Sequence, residues 1–591
     1  MPQPKASLIR LVVMVTLCAP VTSLALSSQP QTPKPGQTAS ASQAAPVPTF
    51  HSTSRIVTLE ISAKDKHGKA ISGLKASDFQ VFEHELGFRK EKQEQKIAFF
   101  REVDKKLLAE RDTSSLQIPA GIFTNLVTLQ KNPVPPTILL VDGLNTEMTA
   151  QMQVHVQMVK MLHSLPSDVP VAVFLLGRGL KILQGFTTDP SLLRTALAKA
   201  AMPTLGVGSQ VDPRDDPDSL STLMGDMPVS ETALSAIQSF EQEQYVSTMD
   251  MRVRETVTAL ISIAHHVAGY PGRKNLLWIS SSFPISLNAD GSAFNSFRSY
   301  ENDMRKVSAV LADAKVAVYP IDPGGLGGPR YFQAGSRNRS NALGALGRES
   351  QMRFGQETTM DELADQTGGR ICVDDNDLGD CVSKAVNDSS AFYEIAYYPD
   401  SQKWNGDFRK ISVKINQPGV HLSYRQGYFA TGEENSKDSK KENAELMQSA
   451  CEDFLNATAI LFAAKPLPPD SPEGLKFYLA IDPTSLTFVP TDDGGQDLKI
   501  RIAVCTFDKT GKPLQLMRDP VDRKFSANEY KTLLAMRGLP HIVSIPGPKP
   551  AGVRLLVKDV ATDRVGSINI RVENLEHPAA PQPAAQTAGA H

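Results

Sequence analysis

At 591 residues the chain is about four times the ~150-residue prior for one domain, so three or four separate cores are expected. Its 62 Lys and Arg against 64 Asp and Glu leave a net charge of −2, which excludes the strong single-sign field that draws a protein onto nucleic acid or an anionic membrane. With 41% hydrophobic and 21% charged residues, the composition is that of a chain folded in water, neither disordered throughout nor a membrane bundle.

Lys5 and Arg10 precede the apolar run Leu11 to Leu17, and Ser23-Leu24-Ala25 offers small residues for cleavage near Ala25. This is the pattern of a secretory signal peptide over 1–25. An anchor would need about 20 unbroken apolar residues, and Thr16, Pro20 and Thr22 interrupt this stretch. Leu17 is too large to precede a lipidated Cys18. No second apolar span follows, so no transmembrane segment is expected after cleavage, and the chain is expected in the periplasm, on the cell surface or outside. Loss of Cys18 leaves four cysteines, an even count that permits two bridges in an oxidising space. Cys372 with Cys381 and Cys451 with Cys505 are the candidate pairs, four unpaired buried thiols being the alternative. There is no CxxC or Cys/His cluster, so structural zinc is not expected.

Residues 26–50 are Ser, Pro, Gln, Thr and Ala with almost no large apolar side chains, a composition that stays a disordered linker. From Arg55 the pattern changes. Val57, Leu59 and Ile61 alternate with polar residues, Lys66 to Lys69 turn the chain, Asp78 to Glu83 alternates again and Ile97 to Phe100 adds a strand. A small β domain, immunoglobulin-like or transthyretin-like, is expected over 51–105.

Thr137 to Asp142 is a continuous apolar run ending in a carboxylate, as in a buried parallel strand. Met148, Met152, Val159 and Leu162 recur at helical spacing, where they read as core filling. Strands at Val171–Leu176 and near Ile182 and a helix over Ser191–Ala200 follow. The acidic, Gly- and Pro-rich stretch 205–228 reads as a solvated loop, since its spacing lacks the plan of a calcium loop. A long helix runs from the N-cap Ser230 to about Val267. Beyond Pro271-Gly272-Arg273-Lys274, Asn275–Ile279 and Val316–Ile321 read as strands and Phe297–Ala314 as a helix. Met360–Gln366, Arg370–Val373 and Leu378–Ala391 continue the alternation. An α/β domain with a central parallel sheet is therefore expected over 133–392. An antiparallel β extension (393–430), a charged linker (431–446), an immunoglobulin-like β-sandwich (447–575) and a disordered Pro/Ala tail (576–591) complete the chain.

Open parallel sheets bind ligands at the carboxyl ends of their strands. That edge carries Asp142-Gly143-Leu144-Asn145-Thr146 after the first strand, Ser280-Ser281-Ser282 after the strand ending at Ile279, and Asp322 after the strand ending at Ile321. Together with Gly73-Leu74, Asp78-Phe79, Phe186-Thr187-Thr188-Asp189, Pro271 to Lys274, Tyr319 to Asp322, Thr367-Gly368-Gly369 and Arg425-x-Gly427-Tyr428, these residues resemble the VWFA-related family of acidobacterial secreted proteins, with a von Willebrand factor A-like, Rossmann-like domain at its centre. The resemblance covers about 50 to 430. It implies a divalent ion, Mg2+ or another, bound through Asp-x-Ser-x-Ser, a loop Thr and a later Asp, with one coordination position left for a partner's carboxylate. Carried over here, Asp142 and Thr146 match, Leu144 replaces the middle hydroxyl, Ser281 replaces the later Asp, and Thr204 stands for the loop Thr. The site is degenerate, and losing a ligand and a charge weakens binding of an ion that wants near-octahedral oxygen ligation. Asn145, Ser280 and Asp322 complete the candidate binding edge. The alternative is that Asp142 and Asn145 only hydrogen-bond the neighbouring loops.

No Gly-x-Ser-x-Gly, His-Glu-x-x-His or phosphate-loop motif is present. His265 and His266 diverge by ~100° on a helix and read as exposed. Arg273 and Lys274 read as serving the turn into the next strand. The expectation is an exported, non-enzymatic protein-binding or adhesion protein whose partner is a protein offering an acidic residue. Two alternatives stand beside it: an accessory subunit or metal-assisted hydrolase of a secreted complex, and a metal-free envelope scaffold.

Overall fold

The computed structural model describes residues 56–85, 92–103, 119, 121–126, 135–146, 158, 168–200, 219–224, 228–270, 272–280, 300–322, 358–372, 378–390, 392–401, 403, 407–430, 444, 446–453, 455–491, 493–536 and 538–576. The expected signal peptide, the 26–50 linker, the acidic segment 212–218, the C-terminal tail beyond 576, most of the charged linker and, Met158 apart, the methionine helix lie outside the described residues.

The alternating segments at the N-terminus form β1 (Val57–Lys64), β2 (Phe79–Glu85), β3 (Gln93–Gln95) and β4 (Ile97–Val103). They do not make a domain of their own. Further along, β11 (Phe392–Tyr397), β12 (Phe408–Ile415), β13 (His421–Ser423) and β14 (Gly427–Phe429) pair with them in two sheets, ordered β13-β1-β11-β4 and β14-β12-β2-β3. β11 inserts antiparallel between β1 and β4, with Leu59 opposite Ile395 and Phe392 opposite Val103. β12 lies antiparallel to β2, with Val413 opposite Val81. Leu59, Ile61, Phe79, Val81, Tyr393, Ile395, Tyr397 and Ile411 fill one core between the sheets. The stretch expected as a separate extension over 393–430 is thus the second half of the first β domain, and the α/β domain is inserted between the halves. Alternation along one segment reports which face is buried and carries no information about which distant strand buries it.

The inserted domain is built on a five-stranded sheet, ordered β10-β9-β6-β7-β8. β6 (Thr137–Asp142), β7 (Val171–Gly177), β9 (Lys274–Ile279) and β10 (Val316–Ile321) are parallel. β8 (Gly179–Thr187) is antiparallel to β7. Only Arg178 separates β7 from β8, so the chain has no length for a crossover and must fold back as a hairpin. Gly179, at φ 133, takes a backbone conformation there that a side chain would strain. Of the strand expected over Arg370–Val373, the described residues Arg370 to Cys372 hold one parallel bridge, Cys372 with Ile321.

β6, β9 and β10 are buried at every residue, because both faces of the sheet are covered. On one face Leu139, Val141, Val173 and Leu277 pack against α1 (Pro190–Ala200) and Val382 and Ala385 of the helix Leu378–Ser390. On the other, Ile138, Leu140, Phe174 and Trp278 pack under α2 (Glu231–Val267), α3 (Glu301–Asp313) and the helix 358–367. Ser230 caps α2 by accepting from Ala233 N at 3.2 Å. Within the stretch read as a loop, Leu220–Met224 forms a short helix, whose N-terminal amides Leu220 N and Ser221 N donate to Glu241 of α2.

The C-terminal domain is a β-sandwich. One sheet has the order β20-β16-β15-β5, where β5 is Phe123–Thr124, β15 Phe462–Leu467, β16 Leu475–Ile481 and β20 Leu539–Ile545. The other has the order β17-β18-β21-β22, with β19 (Pro513–Phe525) also on β18; its members are β17 Val489–Pro490, β18 Gln496–Phe507, β21 Gly552–Asp559 and β22 Val565–Arg571. Phe462, Phe477, Leu479, Ile500, Ile502 and Leu555 fill the core between them. β5 comes from the segment that leads from the first β domain into the α/β domain, so this segment is also stitched to the C-terminal sandwich. Buried Asn125 secures it, donating to the Ala457 and Ile460 carbonyls at 2.7 and 2.8 Å and accepting from Phe462 N at 2.9 Å.

His265 and His266 are not exposed. They are half-buried at the end of α2, where the strap 455–458 from the C-terminal domain crosses: His266 Nδ1 lies 2.8 Å from the Asn456 carbonyl, and Thr458 N donates to the His265 carbonyl at 2.9 Å. Burial holds the His265 imidazole down to about 4, so the strap meets a neutral ring at physiological pH. Gly269 permits the approach, since a Cβ there would stand 2.5 Å from the Thr458 carbonyl oxygen.

Cys372 is bonded to Cys381 and Cys451 to Cys505, at sequence separations of 9 and 54. The loop-entropy argument makes the longer closure worth more, about 4 kcal/mol against about 2.5 kcal/mol for the shorter. Replacing Cys451 and Cys505 together by Ser should therefore lower the urea midpoint more than replacing Cys372 and Cys381, and the reverse order would show that native-state packing, not chain constraint, sets their contribution.

Candidate functional site

β6 runs up the middle of the sheet, and the chain leaves it toward β7 on one side and later returns to β9 on the other. The carboxyl ends of β6 and β9 therefore flank the topological switch point, where connections diverge and leave a crevice. Register places Val141 beside Ile279 and Ile279 beside Ile321, so Asp142, Ser280 and Asp322 stand in one row across three strand ends. Strand alternation, with Ile138 and Leu140 under α2 and Leu276 and Trp278 likewise, sends Asp142, Trp278 and Ser280 to that same face.

Asp142 is 1% exposed and surrounded by donors. Its Oδ1 accepts from Asn145 N at 2.9 Å, and its Oδ2 accepts from Asn145 Nδ2 at 2.8 Å and from the Trp278 indole Nε1 at 3.0 Å. The Ser280 hydroxyl adds a further hydrogen bond. Asn145 Nδ2 also reaches Thr256 Oγ1 of α2 at 2.9 Å, and Thr256 Oγ1 donates to the Arg252 carbonyl one turn back at 2.8 Å. Burial raises the Asp142 pKa, and the hydrogen bonds from Asn145, Trp278 and Ser280 oppose the rise. The guanidinium of Arg252, 3% exposed, is pushed toward neutrality by its own burial and held charged by Tyr245 and the Asp142 carboxylate.

A divalent ion requires oxygen lone pairs turned toward it. Leu144, buried at 3%, supplies none, and both Asp142 oxygens are committed to N–H groups. Turning them to an ion would leave the Trp278 indole and the Asn145 amide buried without this acceptor, at about 1–3 kcal/mol each. In this arrangement the residues around Asp142 do not fit the ion that the family resemblance implies. Among the described residues no group of three or more His, Cys, Asp or Glu side chains gathers to hold a metal ion.

The other expected site residues fall as follows. Asn145, Thr146 and Ser280 are buried beside Asp142. Asp322 is half-buried at the end of β10, its amide donating to the Cys372 carbonyl at 3.2 Å. Thr204 and Ser281 lie outside the described residues. Sequence reasoning missed Trp278, Thr256 and Arg252. Their signals were present: Trp278 is two residues before Ser280 on the same strand, and Arg252 and Thr256 are four apart on α2, hence on one helix face.

No protein-family model matches the chain and no curated protein matches it. Solved structures similar to it include an aerotolerance-related membrane protein from Bacteroides fragilis, at 12% identity and a TM-score of 0.24, covering 43% of this chain and 98% of that one. BatB from Bacteroides thetaiotaomicron is similar at 11% identity and a TM-score of 0.22, over 43% and 97% of the two chains. A von Willebrand factor type A protein from Catenulispora acidiphila is similar at 7% identity and a TM-score of 0.21, over 61% and 81%. At these values the likenesses assign neither family nor activity.

Asp142→Asn turns an amide N–H2 toward one of the present donors. It should destabilise the protein by about 1–3 kcal/mol in urea unfolding, by the same amount in EDTA and in Mg2+. A loss confined to Mg2+-containing buffer would show that Asp142 holds an ion after all.

Proposed function

We propose that this is an exported, non-enzymatic protein-binding protein, and that it recognises a protein partner with the loops at the carboxyl edge of a von Willebrand A-like domain without a divalent ion at that edge. The observation that carries this reading is the saturated Asp142 carboxylate. A carboxylate fully engaged by Asn145, Trp278 and Ser280 ties β6 to β9, Asn145 in turn reaches Thr256 of α2, and the switch-point crevice gains a rigid rim. Preorganised rims favour binding because little ordering remains to be done on contact. The two disulfides support an oxidising compartment.

An edge without an ion changes what it asks of a partner. A cation with an open coordination position selects an acidic side chain, whereas an edge whose central carboxylate is already engaged by its own residues selects by shape and by polar pairing. The partner remains a protein, and the acidic anchor drops out of the reading.

Titration calorimetry of the mature chain with Mg2+, Mn2+ and Ca2+ is expected to give no saturable heat, and capture of a partner from an envelope extract should be equal in EDTA and in Mg2+. Saturable cation binding abolished by Asp142→Ala would restore an ion-dependent adhesion site. Hydrolytic turnover abolished by the same substitution would favour the metal-assisted hydrolase instead.

A further inference from the structure

Several of the motifs singled out in the sequence meet far from the carboxyl edge, at the amino ends of β9 and β10, where the α/β domain abuts the first sandwich. Arg273, 2% exposed, donates to the Tyr319 hydroxyl at 3.2 Å and to the Gly368 carbonyl. Gly368, at φ 80, lies so close to the sandwich that a Cβ would stand 2.9 Å from Arg425 N, and Arg425 in turn donates to the Thr58 carbonyl of β1 at 2.8 Å. A cleft opens at this junction, lined among others by Thr58, Glu60, Arg273, Lys315, Thr367 and Arg425.

The charges in the junction are arranged across the sandwich sheet. Glu60 on β1 lies directly opposite Glu394 on β11, and Glu394 lies opposite Arg101 on β4. Two carboxylates facing each other in a cross-strand pair repel. Lys315, from the turn between α3 and β10, comes down between them, its Nζ 3.0 Å from Glu60 and 2.6 Å from Glu394, while Arg101 pairs with Glu394. To reach them the chain accepts a lysine at φ 58, immediately after the helix C-cap, where glycine is the unstrained choice.

We propose that Lys315 is the bolt of a charge-operated clamp between the inserted α/β domain and the first sandwich, closed by its ion pairs with Glu60 and Glu394 and released when the charge of Lys315 or of Glu394 is removed. The strained turn is explained by this role, since the lysine occupies a glycine position in order to carry a cation across the domain boundary. The clamp goes beyond the proposed partner recognition and does not depend on it.

The groups facing Lys315 are Glu60, Glu394 and Arg101 on the sandwich strands, Lys274 at the start of β9, Asp313 at the end of α3, and Arg273 and Arg425 across the cleft. Burial pushes Glu394 up, but Lys315 and Arg101 pull it below its ordinary 4.5. Its contribution is therefore present above its ordinary value and is lost as the pH falls through the lowered folded value. Burial pushes Lys315 down, but Glu60 and Glu394 raise it above its ordinary 10.5, so its contribution is present at neutral pH and lost only as the pH rises through the raised value. Fully buried Lys274, held at about 7 by its burial although Glu60 opposes this, acts the other way: it weakens the junction as the pH falls from 10.5 toward 7 and adds no further change below.

The test uses the full mature chain with a reporter cysteine, Thr58→Cys, on the cleft wall, and reads its rate of thiol labelling. Lys315→Gly removes the bolt while relieving the backbone, so it cannot fail through strain. Lys315→Met removes only the charge. Both are expected to label about tenfold faster than the parent at neutral pH, with a smaller response to added salt, and the difference should vanish below the lowered pKa of Glu394. If Lys315→Gly labels as slowly as the parent, or more slowly, the lysine is an ordinary turn residue and the clamp is wrong. A difference that persists unchanged in acid would equally overturn it.

Discussion

The constraint on which this architecture depends is the pairing of β11 between β1 and β4. Phe392 meets Val103 at the point where the inserted domain begins and ends, so the chain can leave the sandwich, build roughly 290 residues of other structure and return to the neighbouring strand. Everything else is attached to that closure. The α/β domain has its entry and exit side by side, its amino-terminal sheet edge is pressed against the sandwich by Arg273, Lys315 and Arg425, and its carboxyl edge is left at the far ends of the same strands. β9 and β10 span the distance between junction and edge, six residues each, or about 20 Å of fully buried strand.

The third domain is tied in by two independent devices. Asn125 and β5 draw the segment between the first β domain and β6 into the C-terminal sandwich, and the strap 455–458 crosses the end of α2 near His265 and His266. Buried Arg554 donates to the Leu455 carbonyl at 2.7 Å and lies 3.5 Å from Asp453, so the strap is anchored on its own domain as well. A buried guanidinium is costly without partners, and here it is spent on orienting the connection between domains. The first sandwich does the same internally: Arg409, 1% exposed, meets Glu83 at 3.1 Å and the Tyr428 hydroxyl at 3.1 Å, and Tyr397 donates to Glu83 at 2.9 Å.

The carboxyl edge obeys the same logic. A carboxylate at the end of a central strand can be stabilised by an ion from solution or by donors from the chain. Here the chain supplies them, from Asn145 three residues on and from Trp278 and Ser280 on the adjacent strand. An ion-dependent edge stays responsive to solvent composition, whereas one closed by its own residues is set at folding.

Much of this molecule was legible in one dimension. Continuous apolar runs marked β6, β9 and β10 because strands buried on both faces need apolar residues at every position; Ser230 marked the start of α2 because its hydroxyl accepts from a helix amide; and the four cysteines allowed the two bridges observed. What the tertiary structure alone decided was pairing and saturation. The partner of β1 lies some 330 residues away, since Leu59 faces Ile395, and an alternating pattern specifies a face without naming a neighbour. The antiparallel turn of β8 depended on a one-residue connection, and the half-burial of His265 and His266 on a strap from a different domain. The state of Asp142 could not be read from its motif, because beside Asn145 its donors are an indole and a hydroxyl on the adjacent strand, the indole 136 residues away in the chain, and only folding brings that indole to 3.0 Å.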